Sequence, residues 1–124
     1  MPVLERLRGV RVVADPTALD TARWTGAAVT VLRFAPDDAF AIGATSVEVD
    51  DEHAVIEADS GFVGAWFPVA QILPHVEWSI PADRPALVQG SIANVPAKVW
   101  LADDGDVLLV TAAAYADELT ARLR

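Results

Sequence analysis

The chain has 124 residues, no cysteine and a formal net charge of −9, from 18 acidic and nine basic residues. Its length fits one domain, and a 53% hydrophobic share beside 22% charged residues excludes disorder. The lack of cysteine excludes disulfide frameworks, zinc thiolate sites, iron–sulfur clusters and thiol nucleophiles, and the acidic balance disfavours nucleic acid and anionic membranes. The basic, interrupted start (MPVLERLRGVRVV) does not read as a signal peptide. The uncharged stretch Ser60–Val76 is broken by Gly61, Gly64, Pro68 and Pro74, so no spanning helix is expected, and the chain reads as cytoplasmic.

In chain order, residues 3–8 could form a helical turn ended by Gly9, and residues 10–14 read as a short strand. Asp15-Pro16 opens a short helix over 16–23, because Asp can cap and Pro is tolerated at the first helical position. These pieces make an amino-terminal segment, residues 1–26, ahead of a single α+β domain over 27–124. Residues 28–34 and 39–44 read as strands around the turn Ala35-Pro36-Asp37-Asp38. Residues 46–49 and 54–58 suggest a second hairpin with the charged tip Asp50-Asp51-Glu52-His53.

Phe62, Trp66, Val69 and Leu73 follow helical spacing, so a helix capped by Asp59 or Ser60, kinked by Pro68 and ended by Pro74, is expected next. Residues 76–80 alternate like an edge strand. Pro81 to Pro85 form a loop and a candidate boundary between two halves. Residues 86–94, 97–102 and the apolar 107–112 read as strands, the last one central. A tight turn at Asp103-Asp104-Gly105-Asp106 joins the last two. A final helix over 114–123 places Tyr115, Leu119 and Leu123 on one face, with its acids early and Arg122 late. Residues 31–44 and 99–112 echo each other as strand, acidic turn and apolar strand, each followed by an apolar-faced helix. The expected class is α+β, with small antiparallel or mixed sheets, two packed helices and two related βα halves.

No catalytic constellation is legible. The acids at Asp50–Glu52 lack the spaced partners a cation needs, and Asp103, Asp104 and Asp106 lack the glutamate of a calcium loop, so both runs read as turns and no metal is expected. His53 and His75 have no triad partners, and Gly61, Gly64 and Gly90 do not form a phosphate cradle. Trp66 and Trp100 fall on apolar faces and are expected in the core. Trp24 and Trp78 sit beside polar residues at element ends, where tryptophan serves interfaces and pockets. Arg84 is a candidate for an anionic ligand or a local ion pair. Together Trp24, Trp66, Trp78 and Arg84 are the candidate ligand-binding or interface residues.

From Val29 to Leu123 the chain resembles the gamma subunit of heterotetrameric sarcosine oxidase, and through it the aminomethyltransferase (glycine cleavage T-protein) fold. Three segments carry the resemblance. The first is Leu32-Arg33-Phe34-Ala35-Pro36-Asp37-Asp38. The second is Val47-Glu48-Val49-Asp50, then Val55-Ile56-Glu57 and a Gly61–Phe67 helix. The third is Gln89-Gly90, Ile92-Ala93-Asn94-Val95-Pro96 and Val99-Trp100-Leu101. Asn94 stands where that family would carry glycine. The resemblance implies a small α+β domain with ferredoxin-like elements. It also implies a non-catalytic accessory subunit of a flavin- and folate-dependent amine oxidase, with both cofactors held by partner subunits. No active site transfers. Glu48 and Asp50 are the only residues to name for a T-protein-like transferase. A stand-alone protein binding a folate-like anion is the alternative, and self-association is a further possible partnership.

Overall fold

Alternation, not helical spacing, governs the start of the chain. The computed structural model describes residues 3–103 and 105–124. Met1, Pro2 and Asp104, which carry part of the expected amino-terminal segment and of the acidic turn, lie outside the described residues. Strand makes up 51% of the described residues and helix 18%, so the α+β class holds in a sheet-dominated form. No helix among the described residues is long and apolar enough to cross a membrane. The chain divides into two compact units, Leu7–Ser60 and Met1–Arg6 with Gly61–Arg124. The Pro81–Pro85 loop lies inside the second.

In the first unit, β1 (Glu5–Val13) replaces the helical turn expected over 3–8. Val10 and Val12 alternate inward, and β-branched residues at period two favour a strand. Gly9 does not stop a helix. It lets β4 (Asp38–Ile42) approach, since a Cβ there would lie 2.0 Å from the Ala41 carbonyl oxygen. β3 (Thr30–Ala35) and β4 form the expected hairpin, and β4 pairs on its other side with β1, all antiparallel. The short helix α1 (Pro16–Asp20) buries Ala18 and Leu19. Leu19 packs into a core with Val10, Val12, Ala39 and Ala41. Arg33 fixes α1 to the hairpin by donating to the Pro16 and Pro36 carbonyls and to Asp20.

The expected hairpin of 46–49 with 54–58 does not form. β5 (Ser46–Glu48) pairs instead with β2 (Arg23–Thr25), opposing Trp24 to Val47. Both of those side chains pack on the unit's core, which rewards the longer-range pairing. Val55 and Ile56 instead begin β6 (Val55–Pro68), within which the unit boundary falls.

The helix expected over 61–73 is likewise a strand for most of its length. The i, i+4 pair Phe62 and Trp66 also satisfies period two, and Val63 and Phe67 fill the alternate, buried positions. Aromatic and β-branched residues with Gly61 and Gly64 favour strand over helix. Only α2 (Val69–Ile72) and a 3-10 turn (Leu73–His75) remain helical. Residues 76–80 make one bridge, Val76 to Ile92, not a strand.

The remaining strands are β7 (Ala86–Ile92), β8 (Val95–Leu101) and β9 (Asp106–Ala112). The second unit's sheet runs β6-β9-β8-β7 with antiparallel ladders, so 107–112 is central as expected. One face carries Phe67, Leu109, Val99 and Leu101, covered by Ile72, Leu119 and Leu123. Each such fully buried aliphatic or aromatic side chain stabilises by about 1.5–3 kcal/mol. The last helix, α3 (Ala116–Arg122), follows a 3-10 turn (Ala113–Tyr115). Tyr115 is 39% exposed, so it does not join Leu119 and Leu123 in the core. Among the described residues, three short α-helices stand where two packed ones were expected.

The echo between 31–44 and 99–112 extends to register. Val31 opposes Ala41 and Leu32 opposes Phe40; Val99 opposes Leu109 and Trp100 opposes Leu108. In both hairpins the second strand also pairs with the strand that precedes the unit's first helix: Gly9 opposes Ile42 and Gly64 opposes Val110. The expected sequel differs between them, because α3 follows the second hairpin while β5 follows the first.

Candidate functional site

The second unit's sheet has one face in the core, and function must be sought on the other. Residues directly opposed across strands point to the same side. Trp66, Leu108, Trp100 and Leu87 therefore form one cross-strand row on the face away from Leu119. Leu108 is buried, Trp100 and Leu87 are half-buried, and Trp66 is 46% exposed. Neither tryptophan joins the main core cluster expected from the apolar pattern, because alternation along β6 and β8 turns both indoles outward.

Beside that row lies a cavity of about 190 Å³. Phe62 on β6, Gln89 on β7, Lys98 on β8, Val110 and Thr111 on β9 and Tyr115 after it contribute to its lining. Lys98 Nζ donates to Gln89 Oε1 at 2.8 Å. Thr111 is 2% exposed, and its hydroxyl donates to the Pro96 carbonyl at 2.8 Å. These residues were not singled out from the sequence. The available signal was Lys98, the only lysine of the chain.

The four candidates from the sequence do not share one place. Trp24 belongs to the first unit, half-buried against its core. Trp78 is half-buried in the second unit. Its Nε1 donates to the Ser91 carbonyl at 3.0 Å, and its indole lies against Gly90. Arg84 is exposed and donates to the carbonyls of Pro81 and Asp83. None of the four lines the cavity.

The charged residues of the first unit are engaged in structure. Arg11 makes a two-point pair with Asp38, reaches Asp59 at 3.4 Å, and lies 4.9 Å over the Phe34 ring. The hydrogen bonds and charge of Asp38, and then of Asp59, raise the Arg11 pKa further above its ordinary value, so it is a permanent cation. At the charged loop, Asp51 accepts the backbone N–H groups of Asp15 and His53, which hold its carboxyl below the ordinary 3.8. His53 is exposed beside Glu52. The His75 carbonyl accepts the Ala93 N–H. Glu48 pairs with Arg23 across β2 and β5. Among the described residues no cluster of His, Asp or Glu could hold a metal ion. Comparisons with known protein families, with curated proteins and with solved structures find no match to this chain.

Proposed function

We propose that the chain is a non-catalytic accessory subunit that docks on a larger protein partner in the cytoplasm. The observation that supports this reading is the outward tryptophan row, with Trp66 46% exposed beside Trp100 and Leu87. Tryptophans anchor interfaces, because they bury large apolar area at little conformational cost. Covering the exposed half of one indole is worth about 2 kcal/mol.

The segments that resemble the sarcosine oxidase gamma subunit narrow the partner to a flavin- and folate-dependent amine oxidase. That partner would hold both cofactors and perform the chemistry. The ferredoxin-like elements and the origin of the two units as related βα halves belong to the same proposal. The Gly61–Phe67 part of the resemblance weighs against it, since a strand stands where a helix was implied.

The test is a pull-down of the tagged chain from its native cell, with visible absorbance read on the eluate. Stoichiometric larger subunits with a flavin spectrum are expected, and Trp66→Glu should release them without unfolding the chain. A colourless single species would overturn the reading. Saturable quenching of its tryptophan fluorescence by a folate would then favour the stand-alone binder.

A further inference from the structure

The cavity beside the tryptophan row has a chemistry of its own. None of its lining residues is acidic, although the chain carries 18 acids, and its one fully charged group is the only lysine. Phe62 and Tyr115 supply aromatic walls, and Val110 is a fully buried apolar wall. Thr111 opposes Val63 and so points to the other side of β9 from Val110, where its hydroxyl is held by the Pro96 carbonyl; only its backbone borders the cavity. Lys98 donates to Gln89 Oε1 at 2.8 Å, which helps fix where the ammonium lies.

We propose that this cavity binds a small organic monoanion, an aryl or branched short-chain carboxylate. Lys98 meets the carboxylate, Gln89 positions Lys98, and Phe62 and Tyr115 flank the apolar body. A volume of about 190 Å³ is below the roughly 300–1,000 Å³ of pockets that bury drug-sized ligands. Folates and nucleotides are therefore too large, and a ligand of benzoate size fits. An ammonium at a partly buried site favours a carboxylate over its neutral amide twin, because the charged hydrogen bond is about twice as strong as a neutral one.

The test titrates the full chain with benzoate, isobutyrate and the neutral benzamide, following backbone amide resonances. Saturable shifts at Lys98, Thr111, Ala112 and Tyr115 are expected with at least one of the two acids. Benzamide should bind that site at least about tenfold more weakly. Lys98→Met, which keeps the stem and removes the charge, should weaken the acid by a similar factor with an unchanged unfolding midpoint. Ala112→Leu fills the cavity from its rim and should abolish the shifts in a chain that still folds. The proposal falls if neither acid saturates, if the shifts map elsewhere, or if benzamide or Lys98→Met matches the original affinity.

Discussion

Arg11 reaches diagonally from β1 to Asp38 at the start of β4. Nε lies 2.6 Å from Oδ1 and Nη2 lies 2.7 Å from Oδ2. Both side chains are mostly shielded, at 29% and 23% exposure. The pair stitches the two strands at the end of their ladder, where Val13 opposes Asp38. Arg11→Ala removes the guanidinium that both Asp38 and Asp59 reach, and should destabilise by about 2 kcal/mol. Arg11→Lys should recover less than half of that, because an ammonium cannot reproduce the two-point fork. Urea unfolding of both variants, in a double-mutant cycle with Asp38→Ala, measures the coupling.

Gly9 and Gly90 should respond differently to alanine. At Gly9 the added Cβ would sit 2.0 Å from a backbone oxygen, so β1 and β4 must separate. At Gly90 it would sit 3.1 Å from Trp78 Nε1, where the indole can give by a few tenths of an ångström. Gly9→Ala should cost about 3 kcal/mol or more, and Gly90→Ala about 1 kcal/mol. Only the latter should also perturb tryptophan emission, through the Nε1 bond to Ser91. Denaturant midpoints and fluorescence spectra separate the two.

Ala93 and Asn94 turn the β7–β8 hairpin with φ of 51° and 64°, the left-handed pair of a two-residue loop. Asn tolerates that region and Ala does not. Ala93→Asn should stabilise by about 0.5–1 kcal/mol. The main-chain bonds from Ala93 N–H to His75 and from Arg122 to the Ala93 carbonyl do not depend on its side chain. A higher thermal midpoint is the expected outcome.

Asp51 sets a pH dependence. Its carboxyl is held below 3.8 by two N–H donors, so its contribution is fully present above the unfolded value. That contribution is lost as pH falls through the lowered folded value. Asp51→Ala should therefore be less stable than the original chain at pH near 7, and the gap should close as pH falls below 3.8 and through the lowered folded value. Unfolding curves across the acid range check this, and a constant gap would sink it.

Where turn chemistry and hydrophobic period agree, the sequence is legible. Ala35–Asp38 and Gly105 announce their hairpins, and 107–112 reads as the central strand because nothing polar interrupts it until Thr111. β6 was not legible, because Phe62 and Trp66 satisfy both periods and the alternate positions are apolar too. β1 is hard to read from sequence because Gly9 signals close strand approach as readily as a helix end. The pairing of β5 with β2 depends on contacts more than twenty residues away in sequence, which local pattern cannot weigh. The cavity was hidden for a similar reason: Phe62, Gln89, Lys98 and Tyr115 meet only once four strands are in register.

The equal registers of the two hairpins carry a consequence for how the chain tolerates change. A shift of 68 residues carries Val31 to Val99 and Ala41 to Leu109, while 55 residues carry Gly9 to Gly64. Most of the difference is absorbed between each unit's first helix and its hairpin, the interval that holds β2 in one unit and β7 in the other. Those connections are the elastic parts of the plan. Segments inserted at residues 26–29 or 81–85 should leave every ladder in step, whereas a single residue added to β4 or β9 would turn its inward side chains out.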